Sequence, residues 1–139
     1  MKRILVAVDG SAESNKALDY AANLAKSEQA ELLVVNVTED FCPVGLVELD
    51  IQTMLDIAKK ESDAVLAAAL SRAQAAGAQA RGIIETGSPA DVIDTIAKRE
   101  NVDTVVVGSH GKHGARKVAL GSVSSRVVEW SPCTVIVVK

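Results

Sequence analysis

Aromatic residues are nearly missing from this chain. One Trp, one Tyr and one Phe occur in 139 residues, although 48% of the sequence is hydrophobic. A core built here must therefore be aliphatic, from Val, Ile, Leu and Ala, as in a parallel sheet covered by helices on both faces. Cysteine is also sparse. Cys42 and Cys133 are far apart, form no C-x-x-C pair and carry no metal-ligand spacing, so both are read as reduced and structural. No apolar run approaches the roughly 20 residues that span a bilayer. A basic excess is absent too: the net charge is −3, which argues against binding nucleic acid by charge. Met1-Lys2-Arg3 runs straight into a short apolar strand with no signal-peptide h-region, so the expected compartment is the cytoplasm.

The stretch that is present and unusual runs from Val105 to Val123, V-V-V-G-S-H-G-K-H-G-A-R-K-V-A-L-G-S-V. An apolar strand (Val105, Val106, Val107) ends at Gly108, Gly111 follows, and Gly121-Ser122 precede helical spacing. A strand, a glycine-rich loop and a helix N-terminus in that order make an anion cradle. Glycine lets the backbone approach a ligand closely, and the free N–H groups and dipole of the helix favour negative charge. Lys112, His113, Arg116 and Lys117 concentrate positive charge in this loop, beside His110. Phosphate oxygens are the natural occupants. The two histidines, three residues apart without a carboxylate or thiol pattern, do not read as a zinc site.

The rest of the chain alternates strand and helix. Ile4–Val8 is a buried central strand that ends at Asp9-Gly10-Ser11, where Gly10 or Ser11 caps a helix carrying Ala17, Leu18, Ala21, Leu24 and Ala25 on one stripe. Leu32–Val37 is a second strand, apolar except for Asn36. After the Pro43 and Gly45 loop, a long helix spans about residues 47–76, irregular near Asp50–Asp56 and stopped by Gly77. Gln79–Glu85, with Gly82, reads as an edge strand. Ser88 is the expected cap of the next helix, with Pro89 at its first position and Asp91 in its first turn. Asp103–Val107 forms a fourth strand. Ser122 starts the last helix, with Val123, Val127 and Trp130 facing inward, and Thr134–Val138 is a fifth strand after Pro132.

Right-handed crossovers turn this alternation into an α/β fold, one domain over residues 1–139, with a five-stranded parallel sheet of order 3-2-1-4-5 and helices on both faces. Winding reverses between strands 1 and 4, which opens a crevice between Asp9 and Gly108. Asp9 could accept from ribose hydroxyls, face a magnesium ion or serve only the helix dipole. Val37 borders an apolar slot for a base. No G-x-x-x-x-G-K-[ST] is present, nor a G-x-G-x-x-G after the first strand. A receiver domain is excluded because the third strand ends in Glu85-Thr86-Gly87, without an aspartate to phosphorylate.

The opening I-L-V-A-V-D-G-S, the stretch V-V-V-G-S-H-G and the closing L-G-S-V-S-S-R-V with S-P-C-T-V-I-V-V resemble the universal stress protein family over the whole chain. The spacing G-x2-G-x9-G-S is similar to the signature of its ATP-binding branch. That resemblance implies Asp9 at the ribose, Val37 at the adenine, and Gly108, Ser109, Gly111, Gly121, Ser122 and Val123 at the phosphates. His110 lies within the same loop. Ala7 departs from the proline often found there and touches a backbone contact near the base. The resemblance also implies a homodimer through the last strand. The apolar edge Thr134, Val135, Ile136 and Val137 agrees with that, since an unprotected edge invites pairing.

Three functions follow as expectations. The first is an ATP-binding regulatory stress-response protein that acts as a dimer, with Mg²⁺ and a regulatory protein partner of unknown identity. The second is a slow ATPase or self-phosphorylating enzyme, with Ser109, Ser122, Ser124 or His110 as acceptors. The third is an interaction module that keeps the loop without a ligand.

Overall fold

A computed structural model describes residues 1–39, 48–111 and 120–139. The elements run β1 (Arg3–Ala7), α1 (Ala12–Glu28), β2 (Glu31–Thr38), α2 (Glu48–Ala75), β3 (Gln79–Thr86), α3 (Pro89–Arg99), β4 (Thr104–Gly108), α4 (Ser122–Trp130) and β5 (Thr134–Val138). The five strands lie in the order β3-β2-β1-β4-β5, and every neighbouring pair is parallel. The expected architecture and strand order are those observed.

Strand alternation sorts the core into two layers. Ile4, Val6, Leu32, Val34 and Val106 face α1 and α2, where Ala17, Leu18, Ala21, Ala69 and Ala73 meet them. Leu5, Leu33, Val35, Val105 and Val107 point the other way, onto Ile93, Ile96 and Ala97 of α3 and Val127 of α4. Small side chains bring α2 close to the sheet edge. A Cβ on Gly82 of β3 would lie 2.8 Å from Leu66 Cδ2 and 2.9 Å from Leu70 Cδ1, so that glycine serves helix-on-strand packing.

The caps explain the element ends. Ser11 caps α1, its side chain accepting from Ser14 N–H at 3.1 Å. Gly77, at φ +91°, ends α2 in a Schellman turn: Gly77 N–H donates to Gln74 O (2.9 Å) and Ala78 N–H to Ala73 O (3.1 Å). Ser88 occupies the cap position of α3 but makes no side-chain capping bond.

Two expectations need correction. Helix α2 is continuous from Glu48, without an irregular start. Trp130 does not face inward; it is 52% exposed, with the Arg126 guanidinium 4.4 Å from its ring centroid. Among the described residues no helix is long and apolar enough to cross a membrane.

Candidate functional site

β1 has β2 on one side and β4 on the other, so the crossovers from its two neighbours leave in opposite directions. The gap above its C-terminal end holds a cavity of about 410 Å³. Asp9, Gly111, Gly121, Ser122 and Val123 line one part of it; Asn36, Thr38, Glu61 and Ser62 line another. A smaller slot of about 100 Å³ adjoins it on the α3 and α4 side of the sheet, walled by Ala7, Val35, Val37, Ile93, Val107 and Val123. Asp9, Val37, Glu39, Gly111 and Val123 border both spaces.

The turn after β1 fixes Asp9 in place. Gly10 takes φ +85°, a conformation that L side chains rarely adopt. This brings Ser11 N–H onto Asp9 Oδ1 at 2.9 Å, while Asp9 N–H donates to the Ser14 hydroxyl at 3.3 Å. Ser14, 4% exposed, also donates to Ser11 O at 3.1 Å. Asn36, 5% exposed, ties β2 to the same turn by donating from Nδ2 to Val8 O at 2.9 Å. Across the crevice, Gly111 approaches so closely that a Cβ there would lie 2.9 Å from Asp9 Oδ2.

The backbone after β4 divides its donors between the protein and the crevice. Ser109 N–H goes to Val138 O at 2.9 Å, and Ser109 O accepts from Gly121 N–H at 2.7 Å. The Ser124 hydroxyl, buried under the first turn of α4, donates to Gly108 O (2.8 Å) and Ser109 O (3.0 Å). Helix α4 has Gly121 as N-cap, with no side-chain capping bond, and its first helical bond is Ser125 N–H to Gly121 O at 3.0 Å. The N–H groups of Ser122, Val123 and Ser124 thus begin a helix without a protein acceptor among the described residues, and the first two belong to residues of the cavity wall.

The expected residues divide accordingly. Asp9, Gly111, Gly121, Ser122 and Val123 meet at the larger cavity, and Ala7, Val37, Gly108 and His110 border the slot. Ser109 stands behind them, 5% exposed, its hydroxyl 3.2 Å from His110 Nδ1 and its N–H held by Val138. Lys112, His113, Arg116 and Lys117 lie outside the described residues, as does Cys42. Glu39, Glu61 and Ser62 were missed because nothing in the sequence separates them from ordinary surface positions. Asn36 carried a signal, being the polar residue within an apolar strand run.

This arrangement defines an open, doubly wound α/β protein with a crevice at the point where the strand order reverses. A profile of the universal stress protein family matches residues 1–139, and the chain belongs to that family. Universal stress protein YxiE of Bacillus subtilis is 39% identical over 145 residues, covering 99% of this chain and 98% of the relative. Among solved structures, universal stress protein UspA from Lactobacillus plantarum superposes with a TM-score of 0.87 at 29% identity, over 99% of this chain and 97% of that one. A universal stress protein crystallised in complex with cAMP gives a TM-score of 0.77 at 28% identity, over 99% and 97% of the two chains.

Proposed function

We propose that the crevice binds an adenine nucleotide and that the protein is an ATP-binding regulatory member of its family. The observation that carries this is the uncapped start of α4. Ser122 and Val123 bring N–H donors without a protein acceptor among the described residues to a cavity of about 410 Å³ whose opposite wall carries Asp9. An anion there would satisfy donors that the fold leaves open. The apolar slot behind Ala7, Val37 and Val107 suits a purine ring, and Asp9 between the two spaces suits a ribose hydroxyl. The cAMP bound by the structural relative is of the same chemical class. Ser109 contributes by holding the loop rather than by offering its N–H.

Magnesium fits this site only as part of a nucleotide complex. Among the described residues no group of three His, Cys, Asp or Glu side chains could hold a metal ion, so most of its ligands would be phosphate oxygens and water. Its chemical contribution would be to neutralise phosphate charge beside Asp9. The proposal extends to a cytoplasmic homodimer paired through Thr134–Val138, whose outer edge has no strand partner among the described residues. In this reading a regulatory partner responds to the nucleotide state. Isothermal titration with ATP, AMP and cAMP, with and without Mg²⁺, tests the binding. Saturable heat at micromolar to high micromolar nucleotide is expected; no binding of any of the three would refute it.

A further inference from the structure

Five polar side chains border the slot: Asp9, Ser14, Glu39, His110 and Ser124. Four already have protein partners. Asp9 holds Ser11 N–H, Ser14 bridges Asp9 N–H and Ser11 O, Ser124 holds two carbonyls, and His110 Nδ1 meets the Ser109 hydroxyl. Glu39 differs: it accepts no hydrogen bond and forms no ion pair among the described residues. Its position follows from the strand period. Val35 and Val37 present their side chains on the slot face of β2, and Glu39, two residues further, borders both the slot and the larger cavity. No described lysine or arginine lines either space, so no cation among the described residues of those walls neutralises this carboxylate.

A carboxylate at the mouth of an apolar slot discriminates by hydrogen-bond polarity. It accepts from an amine on the ring that enters and repels an oxygen at the same place. We propose that Glu39 is a specificity-determining residue, its carboxylate accepting a hydrogen bond from the exocyclic amine of a 6-aminopurine seated in the slot. This rests on the reading that the slot takes a nucleotide base, and it adds a side-chain reader to walls that are otherwise apolar or already engaged.

The test is a cycle between one group on the protein and one on the ligand. The affinities of AMP and of purine riboside 5′-monophosphate, which lacks only the 6-amine, are measured for wild type and for Glu39→Ala by isothermal titration. Wild type should prefer AMP by about tenfold, as for a hydrogen bond to a charged but solvent-accessible acceptor, and Glu39→Ala should bind the two ligands equally. Glu39→Gln, which keeps an uncharged acceptor, should retain a preference of about threefold. Glu39 is exposed, so both variants should melt with wild type. An AMP preference unchanged in Glu39→Ala, or no preference in a wild type that binds both, overturns the role of Glu39 alone. A wild type that binds neither ligand overturns the nucleotide reading beneath it.

Discussion

Replacing Gly111 with alanine isolates one contact. Gly111 has no positive φ, so a side chain there causes no backbone strain. Its near neighbour among the described residues is the carboxylate of Asp9: the new methyl would lie 2.9 Å from Oδ2, a separation that real Cβ atoms essentially never show. Ordinary carbon–oxygen contact begins at about 3.3 Å, so the carboxylate or the loop must yield by several tenths of an ångström. If the carboxylate turns, it gives up the 2.9 Å bond from Ser11 N–H at the start of α1. The lost bond is worth about 1 kcal/mol, or a fall in melting temperature of about 3 °C for a chain of this size. The same displacement takes Asp9 off the wall on which a ribose would sit. Nucleotide affinity should therefore drop by about ten- to a hundredfold in Gly111→Ala, and further in Gly111→Val. Titration calorimetry with AMP, paired with thermal melting, reads both effects. A variant with wild-type affinity would show that the Gly111–Asp9 contact has no part in binding.

Other outcomes follow from the same structure. Ser124→Ala removes the donor shared by Gly108 O and Ser109 O at a buried position, which should destabilise the fold by about 1–2 kcal/mol in urea denaturation. Ile96→Ala, at a fully buried core position outside the slot lining, should cost about 2–4 kcal/mol by the same assay and leave affinity unchanged in the folded fraction. Asp103 accepts from Arg3 N–H (2.9 Å) and Lys2 N–H (2.5 Å), and these bonds hold its carboxyl below the usual aspartate range. A group whose folded value is depressed adds stability above its unfolded pKa and loses it as pH falls through the folded one. The stability difference between wild type and Asp103→Asn should accordingly be constant near neutrality and shrink below about pH 4. Denaturant melts at stepped pH check this, and a difference that grows in acid would reverse the assignment.

Most of the architecture was legible because the physical signals were local. Continuous Val, Ile and Leu runs, bounded by glycine and proline, gave the five strands, and the handedness of crossovers gave their order. Trp130 shows where periodicity ends. Spacing from Val123 and Val127 marks a helix face, but burial needs a neighbour for that face to cover. At the end of α4 the ring meets the Arg126 guanidinium and stays half exposed. The crevice was legible at Asp9 and at the glycines, where residue type limits backbone geometry. Glu39, Glu61 and Ser62 were not, because their place at the site comes from the end of β2 meeting α2, a tertiary event with no mark in residue type. The roles of individual loop amides were equally hidden, since donors at adjacent positions differ only in the direction in which they point.

That division of direction bears on how a loop of this composition would hold the proposed nucleotide. If every amide after β4 were free, binding would have to order the whole segment and meet its entropy. Instead the Ser109 peptide is fixed on both sides, its N–H on Val138 of β5 and its carbonyl under Gly121 and the Ser124 hydroxyl. Those bonds set the position of Gly121, and Gly121 sets where α4 begins. The amides of Ser122 and Val123 are then held by the helix, at a start that no side chain among the described residues caps. The buried serines thus set the shape of the crevice wall through their hydrogen bonds to the backbone. The donors at the start of α4 owe their aim to a strand, β5, whose other edge has no strand partner among the described residues.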